Sequence, residues 1–235
     1  MPNPDSPIPS VWTRPPKKAP ALSREQIVAA AMKLLDTEGL EALSLRRLGV
    51  ELGAAATAFY RHVANKDELI ELVVNEVYGE LRIDGEAPWR ESVTVIAHSF
   101  RAAILRHPWF VSVIGEVGLA YLGPNVMGKT DQMLAVLERA GFALEDADLA
   151  MTAVLSFVVG HTTSEAAWLT TLARSGRSEQ EWMDGLVPVA EQAAQPYPAL
   201  RRLFELQRRS GAATREDSFA YGLELILDSL ERRMR

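Results

Sequence analysis

Apolar residues recur every three or four positions along most of the chain, which is the spacing of helices that bury one face. No stretch alternates apolar and polar residues as a half-buried strand would. The first apolar stripe consists of Ile27, Ala30, Ala31, Leu34 and Leu35. A Ser–Gln capping box at Ser23 precedes it and Gly39 follows it, so a helix is predicted over about 24–38.

Two short helices are predicted next. Ser44 caps the first, whose leucines face inward, and Gly53 ends it. The second covers about 56–62. Asn65 then begins a longer helix, with Glu68 at the capping-box position. Two short helices are too short to be stable alone, and their order after the first long helix is typical of a helix-turn-helix DNA-binding unit.

The remainder of the chain also has helical spacing. Helices are predicted over 89–106, 109–121, 126–140, 145–173, 179–194, 199–209 and 215–234. The fold class is therefore predicted as all-α, with an N-terminal three-helix helix-turn-helix domain followed by a larger helical ligand-binding and dimerisation domain. Residues 1–21 contain seven prolines and are expected to form a disordered tail; the head then covers 22–66 and the body 67–235.

Charge is unevenly distributed between these parts. The formal net charge of −6 alone argues against nucleic acid, but residues 1–66 carry 9 Lys/Arg and 6 Asp/Glu, whereas residues 67–235 carry 16 and 25. A basic head on an acidic body suits a protein that contacts phosphates at one end. The tail cations Arg14, Lys17 and Lys18 either follow the DNA or remain solvated.

Several classes of chemistry are excluded by composition. The chain has no cysteine, so disulfides, thiolate zinc sites and cysteine nucleophiles are absent. No apolar run reaches the roughly 18 residues of a membrane span, and no signal segment begins the chain. We expect a soluble cytoplasmic protein with no metal, no cofactor and no membrane partner.

The helix-turn-helix pattern predicts double-stranded DNA as a partner. The second short helix enters the major groove, where Arg61 can fork onto guanine, while Tyr60 and Lys66 suit phosphates. Taken singly, each charged residue could be an ordinary surface charge. The predicted DNA-contacting residues are Ser44, Arg46, Ala55, Ala56, Thr57, Tyr60, Arg61, His62 and Lys66.

Three segments of the head and of the longer helix after Asn65 carry a specific motif: Glu-Gly-Leu-Glu-Ala-Leu-Ser-Leu-Arg-Arg-Leu (38–48), Phe-Tyr-Arg-His-Val (59–63) and Asn-Lys-Asp-Glu-Leu (65–69). They resemble the TetR-family transcriptional regulators, and the resemblance extends more loosely to the tetracycline-repressor-like subgroup. It implies a homodimer whose two heads read a palindromic operator and whose bodies bind a small-molecule inducer. The drug-site histidine of the tetracycline repressor corresponds to Ile114 here, so a magnesium–tetracycline ligand is not implied.

The ligand pocket and the dimer interface follow from the helical body. A largely apolar effector is expected, although plain core packing is the more common role for any one of these residues. The pocket candidates are Trp109, Phe110, Val113, Met127, Phe157, His161, Glu165 and Trp168. The resemblance places the dimer's four-helix bundle in helices 145–173 and 215–234. The interface candidates are Leu155, Val159, Phe219, Leu223, Ile226, Leu227 and Leu230.

Other functions remain to be weighed. No Glu-x-x-His pair precedes any of the four histidines, and no glycine-rich phosphate loop occurs, so an enzyme is not expected. An activator or a DNA-bending protein without an inducer is compatible with the same head. The sequence therefore favours a ligand-responsive repressor of a palindromic operator.

Overall fold

The computed structural model describes residues 22–54, 59–117 and 120–234 of the chain. Those residues contain no strand, and the all-α prediction is confirmed. The nine α-helices within these ranges are α1 (Arg24–Glu38), α2 (Leu45–Glu51), α3 (Lys66–Gly79), α4 (Trp89–Arg106), α5 (Pro124–Arg139), α6 (Leu144–Ser175), α7 (Glu179–Ala193), α8 (Pro198–Ser210) and α9 (Arg215–Arg233).

Helix starts follow the capping chemistry of the sequence. The Ser23 hydroxyl accepts from the Gln26 amide at 3.2 Å, and the Gln26 side chain accepts from the Ser23 amide at 3.0 Å. The predicted box at α1 is therefore confirmed. Ser178 and Thr214 form the same reciprocal arrangement at α7 and α9, where it satisfies backbone donors that have no partner inside the helix.

The head packs α1 against α2 and α3. Phe59 and Val63 are fully or almost fully buried among these helices, as the sequence pattern predicts. The predicted helix over 56–62 lies partly outside the described residues. Its last turn is visible, since the amides of His62 and Val63 both donate to the Phe59 carbonyl, at 2.8 and 2.9 Å.

The prediction of a helix over 109–121 was wrong. The chain instead makes two short 3-10 turns, Pro108–Ser112 and Ile114–Glu116, and an isolated bridge between Val117 and Tyr121. Proline has no amide to donate, and glycine disfavours helix interiors, so Pro108 and Gly115 oppose a continuous helix. We refer to residues 107–117 as the linking segment.

The body is built around α4, which packs mainly on α6 and also on α5 and α9. Tyr78 of α3 joins this core by edge-to-face contacts with Phe100 and Phe110, at 5.7 and 6.1 Å between ring centroids. α3 therefore belongs to both parts, because it begins at Lys66 in the head and its last turn packs in the body.

Helices α7 and α8 stand apart from this core. Neither contains a buried residue, and the apolar stripe of α8 stays exposed. None of the described helices has both the length and the apolar character that crossing a bilayer requires.

Candidate nucleic-acid interface and internal cavity

The turn after α2 is tight because glycine permits it. Gly49 lies where an added Cβ would approach the Ala54 carbonyl oxygen to 3.1 Å and would contact the Phe59 ring. Gly53 has φ of +60°, a backbone conformation that favours glycine. The absence of side chains at Gly49 and Gly53 therefore lets Ala54 and Phe59 approach α2 closely. A helix-turn-helix requires such a close approach after its first short helix.

Three predicted DNA contacts point to solvent on the head. Tyr60 is 61% exposed, and Arg46 and Arg61 are also exposed. Ser44 caps α2, since its hydroxyl accepts from the Arg47 amide at 3.3 Å. Its oxygen therefore orders the helix that carries Arg46. The predicted contacts Ala55, Ala56 and Thr57 lie outside the described residues.

Two further candidates are half-buried in the head. The Lys66 ammonium donates to the Leu40 carbonyl at 3.1 Å, which leaves two of its three donors for a phosphate. This bond links the start of α3 to the turn that follows α1. His62 lies near Glu25, whose pKa is lowered mainly by a hydrogen bond with Ser23.

The body contains a cavity of about 750 Å³. A second groove of about 320 Å³ lies on the head between α1 and α3, with less than half that volume. The larger cavity has a mostly apolar wall. Its apolar lining includes Tyr78, Phe100, Met127, Met133, Met151 and Leu155. Burial raises the pKa of Tyr78 to about 12, so the phenol is neutral at physiological pH.

Only one predicted pocket residue, Met127, lines this cavity. The others are held elsewhere by packing or hydrogen bonds. Trp109, Phe110 and Val113 lie in the buried core of the linking segment. Phe157 and His161 face α9, where both pack against the ring of Phe219.

Glu165 turns towards α4 and Trp168 towards α7, rather than towards the cavity. Glu165 accepts two hydrogen bonds from Arg101, at 2.8 and 2.9 Å. The Arg101 guanidinium lowers the pKa of Glu165 by hydrogen bonding and charge, and it also lies over the Phe219 ring. Trp168 makes an edge-to-face contact with Trp182. Glu165 and Trp168, which were predicted to form a polar cluster in the pocket, therefore hold α6 against α4 and α7 instead.

Two family models match the chain. One is described as the tetracyclin repressor-like C-terminal domain and covers residues 83–234. The other is described as bacterial regulatory proteins of the tetR family and covers residues 27–73. The chain belongs to the TetR family of transcriptional regulators.

Individual relatives support the assignment of this chain to the TetR family. The chain is 36% identical over 164 residues to an HTH-type transcriptional regulator of Saccharopolyspora erythraea, covering 68% of this chain and 69% of the relative. It is 32% identical over 224 residues to the HTH-type transcriptional repressor DrrR1 of Streptomyces coeruleorubidus, covering 93% and 80%. ActR of Streptomyces coelicolor, in complex with actinorhodin, superposes with a TM-score of 0.71 at 29% identity, covering 91% and 98%. These relatives are regulators rather than enzymes.

The linking segment connects the head of this TetR-family regulator to its cavity. Ile114 and Gly115 line the cavity, and Trp109 reaches back to α1, where its indole donates to the Asp36 carboxylate at 2.7 Å. His107 Nδ1 donates to the same oxygen at 2.7 Å. Sequence reasoning missed Asp36, because an acidic residue on the polar face of an amphipathic helix has no local signal.

The predicted dimer residues have two different locations in the regulator. Leu155 and Val159 line the cavity. Four residues of α9 are buried within the protomer because they pack against α6 and α4, and Ile226 is half-buried. The four are Phe219, Leu223, Leu227 and Leu230. The apolar residues that the sequence pattern identified on α9 therefore form its inner face. Their side chains have little exposed surface for contact with a partner.

Proposed function

We propose that the protein is a homodimeric repressor that binds a palindromic operator and releases it when a small molecule enters the cavity. The observation that carries this proposal is the linking segment, which forms part of the cavity wall and also contacts α1 of the head. A DNA-bound repressor of this kind works where the bacterial chromosome is, so we also propose a cytoplasmic location.

Contact with DNA rests on the exposed residues of the head. Arg46 and Arg61 present guanidinium groups to solvent, and neither forms an ion pair within the described parts of the chain. The neighbouring Arg47, in contrast, is paired with Glu38. We assign base recognition to Arg46 and Arg61, and phosphate contacts to Tyr60 and Lys66.

The dimer is supported by the outer faces of α6 and α9. On α9, Tyr221 is 69% exposed and Leu225 is 53% exposed, although both lie in a helix whose other face is core. On α6, Leu149 is 66% exposed and Ala153 is also exposed. Exposed apolar residues on two adjacent helices indicate an interaction surface, and we assign this one to the second copy.

Control of DNA binding requires the ligand to favour one shape of the protein over another. A ligand in the cavity contacts Ile114 and Gly115, and any shift there is passed along the linking segment to Trp109 and Asp36. α3 offers a second route, since Tyr78 lines the cavity near one end of this helix and Lys66 begins the other. Both routes end in the head, so the distance between the two reading units of a dimer would change.

Binding of the purified full-length protein to a labelled duplex from the DNA flanking its own gene tests the DNA part of this proposal. Specific binding is expected to weaken with salt by about 0.9 logarithmic units per phosphate contact for each tenfold increase. Arg61→Ala is expected to reduce the preference over an unrelated duplex, whereas Lys66→Ala weakens binding to both alike. Arg209→Ala, on α8, is the control. Equal affinity for both duplexes in the unmodified protein would contradict the proposal.

The ligand part is tested with Nile red, a neutral apolar dye whose fluorescence rises on leaving water. We expect saturable binding to the wild type and its loss in Leu155→Trp, which fills the cavity. Leu169→Trp, at an exposed position on the same helix, is the matched control. Binding that is unaffected by Leu155→Trp would place the dye, and the proposed ligand site, elsewhere.

A further inference from the structure

Three of the residues that α6 contributes to the cavity wall are polar, beside the apolar Met151, Leu155 and Val159 of the same helix. Asp148, Thr152 and Ser156 follow one another at intervals of four residues, so they lie in a row on one face of the helix. All three are exposed, whereas Met133 and Met151 are buried deeper in the cavity. The row therefore lies at the mouth, opposite an apolar interior.

The polar groups in this row have no hydrogen-bond or ion-pair partner among the residues that the structure describes. In the described residues, the Thr152 and Ser156 hydroxyls make no hydrogen bond. On the same helix, Thr163 and Thr170 do, because each bonds back to the carbonyl four residues earlier, at 2.6 and 2.8 Å. Asp148 likewise forms no ion pair across the described ranges. Its carboxylate is free to pair with a ligand.

The lining has one sign of charge. Asp148 is the one acidic residue among the described residues that line the cavity, and no lysine, arginine or histidine lines it. Lys129 of α5 is next to Thr130 in sequence but does not line the cavity, and its ammonium donates to the Leu81 carbonyl at 2.6 Å. An acidic ligand would therefore meet an unneutralised carboxylate and no cation to pair with.

The rest of the lining is largely apolar and partly aromatic. Met127, Met133 and Met151 supply flexible, polarisable thioethers, which adapt to flat aromatic surfaces, and the rings of Tyr78 and Phe100 also line the cavity. A volume of about 750 Å³ lies within the range of cavities that enclose drug-sized molecules. Volume and composition thus favour a drug-sized ligand with an aromatic ring system.

We infer that the effector is a polycyclic or aromatic amine, bound with its protonated nitrogen at Asp148 and its rings among the methionines. The hydroxyls of Thr152 and Ser156, about 6 and 12 Å along the helix from Asp148, would bond polar substituents of the rings. This inference rests on the proposed function of the cavity, and adds the charge and chemical class of the ligand to it.

Three tricyclic probes of nearly equal shape test the charge preference: a protonated aminoacridine, neutral hydroxymethylanthracene and anthracene carboxylate. Their affinities for the full-length protein are measured by calorimetry without DNA. Since a charge-assisted hydrogen bond contributes about a tenfold change in affinity, the amine is expected to bind about tenfold more tightly than the neutral probe, and the acid more weakly than either.

Asp148→Asn should make the affinities of the three probes similar and leave the affinity of the neutral probe unchanged. Asp146→Asn, a matched change on the same helix at a residue outside the lining, should retain it. Equal binding of amine and neutral probe to the wild type, or an unchanged preference in Asp148→Asn, overturns the inference but leaves the cavity as a ligand site. Failure of all three probes to bind overturns the inference and also contradicts the ligand part of the proposed function.

Discussion

Replacing Asp36 by alanine is expected to separate α1 from the linking segment and to destabilise the protein. One oxygen of this carboxylate accepts from both His107 and Trp109, each at 2.7 Å. The two donor residues are only 3% and 4% exposed. The substitution therefore removes the partner of two buried N–H groups, and no other acceptor is bonded to the Trp109 indole in the described structure.

The size of the effect follows from the burial of these donors. A buried donor left without a partner costs about 1–3 kcal/mol. The Asp36 side chain itself is 31% exposed, so water can partly replace it, and the lower part of that range applies to each donor. We expect a loss of about 2–4 kcal/mol in the free energy of unfolding, or about 4–16 °C in the melting temperature.

Urea unfolding followed by circular dichroism measures this loss, with all variants at one protein concentration because stability of a dimer depends on it. Glu41→Ala is the control, since Glu41 is an exposed carboxylate in the same head and forms no ion pair in the described chain. Hydrogen exchange should also quicken in the last turns of α1 but not in α9. A loss below about 0.5 kcal/mol, the usual effect of a surface change, would refute this reasoning.

Three other outcomes are expected. In Gly222→Ala, the new Cβ would lie 2.5 Å from the Phe157 ring, so thermal unfolding should show a loss of about 1–3 kcal/mol, and an unchanged melting temperature would contradict the packing of α6 on α9. Because Arg101 lowers the pKa of Glu165, this pair stabilises the fold at neutral pH, and the stabilisation is lost as the pH falls through the lowered pKa. Glu165→Gln should therefore flatten the acid side of the curve of unfolding free energy against pH. An unaltered curve would argue against the pair. Leu225→Arg should shift the protein from dimer to monomer in sedimentation velocity, and a dimer that survives would exclude the outer face of α9 as the interface.

Local signals predicted the helices well. Ser23 and Gly39 bound α1 in the structure as the sequence indicates, because capping and left-handed backbone positions depend on residues adjacent in the chain. The linking segment was mistaken for a helix, since Trp109 and Phe110 give an apolar spacing that short 3-10 turns also satisfy. Spacing alone does not distinguish these two conformations over so few residues.

The cavity could not be predicted in the same way. An apolar helix such as α6 buries several faces, and the sequence does not say which face meets the core, the cavity or a partner. Glu165 is the clearest example, since its partner Arg101 lies 64 positions away in sequence. Asp148 was missed because an acidic residue in the second turn of a helix resembles any solvated charge. Only the packing of α4 and α5 against α6 shows where it points.

The central claim is that occupation of the cavity controls DNA binding by the head. It is tested most directly by measuring the affinity of the full-length protein for its flanking DNA with and without a saturating cavity ligand, in wild type and in Leu155→Trp. The account predicts that a ligand which binds the wild-type cavity and acts as effector lowers the affinity at least tenfold, and has no such effect when Leu155→Trp excludes it. Release of DNA that is equally strong in both proteins would contradict the claim.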